Sequence, residues 1–438
     1  MSRKEDVFRF FNENNGQWEK QADANIEKYR KNDAVISLVG DADLLKNAAV
    51  KIRQVNHKFK FGANIFMLDE LETSEKNKIY RKKFAKLFNL ATIPFYWSDL
   101  EPEKGKPRYA KNSPKVYRRP SPDLCIEYCK EHNIEPKCHC LNYDDFLPKW
   151  LEGASVEEIK LEYEKRFAEI AKRYADVIPS FEVTNETLKR RDNGSAFFSE
   201  DDFVDWSYKT ADKYFPNNRL IINDFNIWAP EVYNNRTFYY MQIERLLNSG
   251  NIHLDSVGMQ FHGFFTRKVE VEAAERFYNP VILNKLMDCY SALGLKEQIT
   301  EMTIPAFSND IEDEAVQAVL LCNLYKVFFS HPSMEAIIYW NLVDGYAAWA
   351  EPGDMESGEN AYYGGFLRFD MSEKPAYKAL YNLIHKEWHT ELNAKPQNGK
   401  LSFRGFLGDY EADIIIGKTK KTVCFNIDEG KNNFEIKL

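Results

Sequence analysis

Two glutamates carry the sequence's clearest chemical signal. Glu186 follows the run SFEVTN (180–185), and Glu301 lies in QITEM (298–302), so each closes a short strand-forming stretch. Other polar or aromatic residues close similar stretches: Asn185 beside Glu186, Asn223 and Asp224 in LIIND (220–224), Gln260 and His262 in SVGMQFH (256–262), and Trp340 in AIIYWN (336–341). Two carboxyl groups at one mouth, one protonated and one ionised, suit acid/base plus nucleophilic chemistry on a glycosidic bond. A lone Glu at a strand end is ordinarily a solvated loop residue. The chemistry therefore depends on a fold that brings positions 186 and 301 together.

Such a fold is written in the alternation of apolar runs and longer helical stretches. Strand candidates occur at FGANIF (61–66), FNLATI (88–93), EPKCHCL (135–141), SFEVTN (180–185), LIIND (220–224), SVGMQFH (256–262), QITEM (298–302) and AIIYWN (336–341). Helical segments such as VEEIKLEYEKRFAEIAKRYADV and AVQAVLLCNLYKVFF separate them. Repeated strand-then-helix units whose strands lack polar alternation predict an α/β fold, a (β/α)8 TIM barrel with its reactive groups at the C-terminal strand ends. The rival, an open doubly wound sheet, calls for a glycine-rich phosphate turn after the first strand, and Gly62 stands alone.

The barrel spans 61–390. Residues 1–60 form an N-terminal helix and β segment, and 391–438 a second β-rich segment: LSFRGFLGDY, EADIII, TVCFNI and NFEIKL, punctuated by Gly408, Gly417 and Gly430. Chain termini often lie close together, so 33–60 and 391–438 can join into one small module. Phe403, Phe406 and Tyr410 are expected to form its core in preference to a sugar-binding face.

Lys and Arg number 59 and Asp and Glu 67, a net charge of −8, which argues against a phosphate-binding surface and hence against a nucleic-acid partner. The longest apolar run, Ala315 to Phe329, is broken by Gln317, Asn323 and Lys326, so no membrane span is expected. MSRKEDVFRFFNENN has no apolar core of signal-peptide length, and 7 cysteines fit a reducing compartment, so the expected location is cytoplasmic, or secreted had a leader been removed. Cys125, Cys129, Cys138 and Cys140 lack paired C-x2-C knuckles. If His139 points into the mouth, Cys138 and Cys140 point out toward the helices, and buried reduced thiols are expected, with no metal and no cofactor.

Taken together, VTNE (183–186), INDFN (222–226), GMQFH (258–262), ITEM (299–302) and YWNLVDGYAAW (339–349) resemble successive active-site motifs of glycoside hydrolase family 10. EPEKG (101–105), LPKWL (147–151) and LRFDMSEKPAY (367–377) extend the match in the family's order. IRQVNHKFKFGANIF (52–66) resembles the branch with an extra N-terminal β segment.

The resemblance implies a retaining endo-1,4-β-xylanase-like reaction by double displacement, with Glu186 as acid/base, its pKa raised, and Glu301 as nucleophile. It implies that His262 hydrogen-bonds Glu301, Asn185 the sugar 2-hydroxyl, and that Gln260 orients the site. His139 would meet the glycone sugar as a neutral imidazole, and Trp340 and Trp349 would offer indole faces. The partner would be a β-linked oligo- or polysaccharide; the oligomeric state is not addressed.

Against the family pattern, Tyr96 stands for Lys, Thr92 for Glu and Ile93 for Asn. Tyr143 stands for Trp, Asp144 for His, Phe146 for Gln and Phe225 for Tyr. Loss of several polar groups predicts a changed glycone preference, with short xylo-oligosaccharides or a decorated or non-xylan β-glycan as alternatives, and a non-catalytic sugar-binding barrel as a further one.

Overall fold

A computed structural model describes residues 3–189, 195–225, 227–228, 234–250 and 252–438. Asn226, the last residue of INDFN, lies outside the described residues.

The chain opens with helices Arg3–Asn12 and Gln17–Tyr29, followed by strands β1 (Lys31–Val39) and β2 (Ala48–His57). The barrel strands follow: β3 (Lys60–Asn64), β4 (Leu90–Pro94), β5 (Glu135–Asn142), β6 (Ser180–Asn185), β7 (Arg219–Asp224), β8 (Ser256–His262), β9 (Lys296–Thr303) and β10 (Met334–Tyr339). They close in the order β10-β3-β4-β5-β6-β7-β8-β9, with β10 parallel to both β9 and β3. The expected eight-stranded parallel barrel is the observed one. Its strands are buried on both faces, which is why they read as apolar runs.

Local sequence fixes the flanking helices. Val156–Tyr174 starts with a capping box, Ser155 accepting from the Glu158 amide while Glu158 reaches back to the Ser155 amide. The helix Ile311–Ser330 is buried on most of its circumference, which explains its nearly unbroken apolar run. Gly258 in β8 is needed for close approach: a Cβ there would sit 2.7 Å from the Ile222 carbonyl oxygen and 3.0 Å from Asn223 Oδ1.

Strands β11 (Glu391–Ala394), β12 (Lys400–Phe406), β13 (Gly408–Ile416), β14 (Thr419–Ile427) and β15 (Asn432–Lys437) complete the chain. They form two sheets with the N-terminal strands, β12-β1-β15 and β11-β2-β13-β14. Ile36, Val50, Ile52, Tyr410, Ile414 and Ile427 share a core distinct from that of the barrel. Tyr410 and Phe406 are buried in the fold, and the Tyr410 hydroxyl donates to the Phe406 carbonyl at 2.5 Å.

Because β2 runs directly into β3, these sheets sit at the N-terminal end of the barrel, opposite the mouth. Rings of Phe59, Phe329, Trp388 and Phe406 make the seam. Arg30 pins it by donating to the carbonyls of Phe329 (2.6 Å) and Met334 (2.7 Å).

The helix Arg3–Asn12 instead reaches toward the mouth. Arg3 is bidentate to Glu270 (2.8 and 3.1 Å), pairs with Asp313 (3.1 Å), and donates to the carbonyls of Pro305 (2.8 Å) and Ala306 (3.2 Å). It thereby ties the chain's first helix to the loop that leaves β9, two residues beyond Thr303.

Candidate active site

A cavity of about 720 Å³ opens at the C-terminal ends of the strands. Glu186 and Glu301 both line it, with Asn185, His139, His262, Gln260, Trp340, Trp349, Tyr143 and Tyr96. These ten side chains, far apart in sequence, therefore meet at one place.

Three amides join the two carboxyl groups. Asn223 Nδ2 donates one hydrogen to Glu301 Oε1 (3.0 Å) and the other to Asn185 Oδ1 (2.7 Å). Gln260 Nε2 donates to the same Asn185 oxygen (3.3 Å) and to Glu186 Oε1 (3.2 Å). Thr300 Oγ1 donates to Asn223 Oδ1 and fixes that amide's orientation. With its oxygen doubly occupied, Asn185 leaves its NH2 group for a ligand. With Glu301 Oε1 and Glu186 Oε1 accepting, this network orients all three amides.

Glu186 sits just past β6 at φ +53°, a left-handed conformation that costs a non-glycine residue energy and concentrates at functional sites. Its amide is held by the Asn223 carbonyl (3.1 Å). Tyr143 Oη donates to Glu186 Oε2 at 2.8 Å. Asp224 accepts from the Phe225 amide (2.8 Å) and the Leu188 amide (3.1 Å), tying the chain just after Glu186 to β7; burial lifts its carboxyl to about 7.

Glu301 Oε2 accepts from His262 Nε2 (3.1 Å), whose Nδ1 accepts from Thr303 Oγ1 (3.0 Å). Burial pushes His262 down to about 4, so it is neutral and its tautomer is set by these two bonds. Burial pushes the Glu301 carboxyl up to about 8; cationic His139 opposes this, and the charges of Glu182 and Glu186 add to it. The sequence reading expects the raised carboxyl at Glu186. Glu301 is raised because it lies deep in the barrel.

His139 differs from its expected state. Its Nδ1 donates to Glu182, and its Nε2 to Tyr96 Oη at 2.9 Å. Burial alone would lower it, but the Glu182 carboxylate outweighs burial and shifts the imidazole toward its charged form. Both ring nitrogens are engaged inside the barrel, so the ring is not free to reach for a sugar hydroxyl. Tyr96 Oη, accepting from His139, is left with its own proton to offer. Lys137 Nζ closes the charge cluster, 2.5 Å from Glu182 Oε1 and 2.9 Å from Gln298 Oε1 on the far side of the barrel.

The profile of glycosyl hydrolase family 10 matches residues 52–383. The chain belongs to that family. It is 23% identical over 429 residues to endo-1,4-beta-xylanase 1 of Arabidopsis thaliana, covering 94% of this chain and 39% of the relative. It is also 23% identical over 432 residues to the anti-sigma-I factor RsgI6 of Acetivibrio thermocellus, covering 96% of this chain and 50% of that protein. The chain spans half or less of the length of these curated relatives. Among solved structures, native xylanase 10B from Thermotoga maritima aligns with a TM-score of 0.59 at 20% identity, over 75% of this chain and 96% of that one. Xylanase 10B from Thermotoga petrophila in complex with xylobiose aligns equally well, at 19% identity over 75% and 95%.

Placed within this family 10 barrel, the departures separate into two groups. Tyr96, Tyr143, Phe146 and Phe225 line the cavity. Phe66, Tyr96 and Trp340 form a buried aromatic cluster there, with Tyr143 and Phe146 packed against it. Thr92 and Ile93 do not line it: β4 continues to Pro94, so both are strand-interior residues, and the chain reaches the mouth only at Tyr96.

Trp340 is buried with its ring 5.1 Å from Phe66 and 5.6 Å from His139. Trp349 is 88% exposed on the rim, so it is a free indole face and not a core ring.

Cys125, Cys129 and Cys138 pack in the barrel core, and burial raises the thiols of all three and of Cys140. Among the described residues no group of His, Cys, Asp and Glu has metal-holding geometry.

Sequence reasoning missed Glu182 and Lys137, although a charge in the middle of a fully buried strand is itself a signal. It also passed over Arg118 and Arg119, which come to the cavity from a loop, and Glu359, which comes from the short helix Gly358–Tyr362.

Proposed function

We propose that the protein is an endo-acting, retaining β-glycoside hydrolase of the xylanase type. Glu301 attacks the anomeric carbon while Glu186 gives its proton to the departing glycosidic oxygen, forming a glycosyl ester on Glu301. Glu186, now ionised, takes a proton from water, whose oxygen displaces Glu301 and restores both groups. Asn223 and His262 aim hydrogens at Glu301 and favour its ionised form as the substrate enters. Asn185 Nδ2 is placed to bind a hydroxyl beside the reacting carbon.

The observation that carries this reading is the amide chain Asn223–Asn185–Gln260. It ends on one oxygen of each carboxyl group and leaves one amide free for the sugar. A barrel that only bound sugar would not need both glutamates tied to a common amide.

The aromatic wall of Phe66, Tyr96, Tyr143 and Phe146 supports a glycone preference different from that for bare xylan, because fewer side-chain donors face sugar hydroxyls there.

Azide rescue of truncated variants tests the two roles with an activated aryl β-xylobioside. Glu186→Ala should recover turnover with azide and yield the β-glycosyl azide; Glu301→Ala should yield the α-glycosyl azide. Inverted outcomes, or full activity in either variant without azide, would remove the assignment. A panel of β-linked polymers and oligosaccharides, with Glu301→Ala as control, assigns the sugar.

A further inference from the structure

We propose that Arg118 and Arg119 form a carboxylate-binding subsite at the glycone end of the cleft, matched to a β-glycan bearing uronic acid side groups. This rests on reading the cleft as a β-glycan site.

Setting Glu186 and Glu301 aside, the cavity wall presents Arg118, Arg119, Lys189 and Arg276 against the carboxylates Asp145 and Glu359. The chain as a whole has a net charge of −8, yet four cations stand on this one wall. Two of the four are consecutive in sequence and meet at one ring. The Arg118 and Arg119 guanidinium carbons each lie 5.6 Å from the Phe66 centroid, and Phe66 contacts Trp340, which borders His262 and His139. A file of contacts therefore leads from Glu301 through His262, Trp340 and Phe66 to the two arginines.

Their hydrogen-bonding capacity is not used up. Arg119 Nε meets Asp99 Oδ2 at 2.7 Å and Nη1 donates to the Arg118 carbonyl at 3.1 Å, while its plane lies over Tyr96, 4.2 Å from the centroid. Among the described residues its Nη2 makes no hydrogen bond. Arg118 is buried, with Nη1 donating to Asn341 Oδ1 (2.9 Å) and to the Tyr346 carbonyl, both neutral. Its Nε–H is buried without an acceptor.

Glu359, the carboxylate nearest in this network, is reached only through Asn341 Nδ2 at 2.8 Å. A buried guanidinium with neutral partners beside a second guanidinium is costly unless an anion joins it. Arginine's planar fork suits a carboxylate, whereas a neutral sugar hydroxyl is served by an amide such as that of Asn185.

The test is calorimetric binding to Glu301→Ala protein of a xylo-oligosaccharide carrying one glucuronic acid side group, against the same oligosaccharide after reduction of its carboxyl to an alcohol. The acidic form should bind about tenfold tighter or more at low salt. That preference should collapse at high salt and in Glu301→Ala/Arg119→Gln, with the reduced form binding unchanged. The salt measurement needs no second substitution, so it stands even where Arg119→Gln disturbs the loop.

Equal binding of the two forms, binding of neither, or a preference insensitive to salt would overturn the proposal. Hydrolysis of neutral xylo-oligosaccharide by the unaltered protein is measured in parallel. Hydrolysis without acid preference sinks only the arginine subsite. Preferential binding without hydrolysis of any tested glycan sinks only the hydrolase reading.

Discussion

Tyr143 and Glu186 are hydrogen-bonded, the tyrosine hydroxyl 2.8 Å from Oε2. Since Gln260 holds the other oxygen, Glu186 is fixed at both ends. Removing the hydroxyl in Tyr143→Phe leaves the ring packing against Tyr96 and Phe146 intact and frees one carboxyl oxygen. Hydrogen bonds to charged groups are worth roughly 1.5–3 kcal/mol, so kcat/KM should fall by about ten- to a hundredfold with the melting temperature nearly unchanged. A fall in stability without a fall in kcat/KM would show the contact to be structural only.

Glu301 is held in a state that opposes stability. Its carboxyl is raised by burial from an ordinary value near 4.5 to about 8. A raised acid favours the folded state fully only below the unfolded value; as pH rises toward 8 the fold loses stability, because the unfolded chain ionises first. Glu301→Gln should therefore abolish hydrolysis yet raise stability at pH 7.5, on the order of 4 kcal/mol at most, with the gain vanishing near pH 4.5. Urea unfolding of both proteins at the two pH values decides this. Equal stability throughout would mean that Glu301 is not strained by burial.

The Lys137–Glu182–His139 cluster has the opposite pH character. Lys137 and His139 outweigh burial and hold Glu182 below its ordinary range; Glu182 outweighs burial and holds His139 above its own. The Glu182 contribution is present above about pH 4.5 and lost as pH falls; the His139 contribution is present below about pH 6.5 and lost as pH rises. Glu182→Gln would leave buried cations uncompensated, a cost of about 3–5 kcal/mol. Thermal melts from pH 4 to 8 should show the largest deficit between those limits. A deficit that grows steadily toward pH 8 would contradict the assignment of His139 as a cation.

Arg3 gives a further prediction. Its guanidinium neutralises Glu270 and shares Asp313 with Arg267. Arg3→Ala should destabilise by about 3 kcal/mol through the unpaired Glu270, and amides of residues 303–306 should exchange hydrogen faster. Unchanged exchange there would mean that the loop after β9 stands without the first helix.

The barrel was legible because each strand is a short apolar run and each motif residue closes one. Glu186 and Glu301 were legible because a carboxylate at such a position stands out. What escaped was set by partners distant in sequence. Whether His139 is neutral depends on Glu182, 43 positions away. Thr92 and Ile93 read as departures at the site because the sequence does not show that β4 persists to Pro94 and keeps both inside the barrel. Arg118 and Arg119 sit in a loop with no periodicity, and only the folded cavity reveals that they meet at Phe66.

The sheets beneath the barrel impose an order of events on synthesis. β1 pairs only with β12 and β15 among the described strands, and β2 only with β11 and β13. Neither β1 nor β2 can dock until β11 to β15, made after the whole barrel, leave the ribosome. At roughly 5–20 residues per second, β1 waits about 20–70 s for β12. The barrel, whose strands pair with later neighbours as they emerge, can close meanwhile, and the two ends of the chain then fasten under it like a clasp.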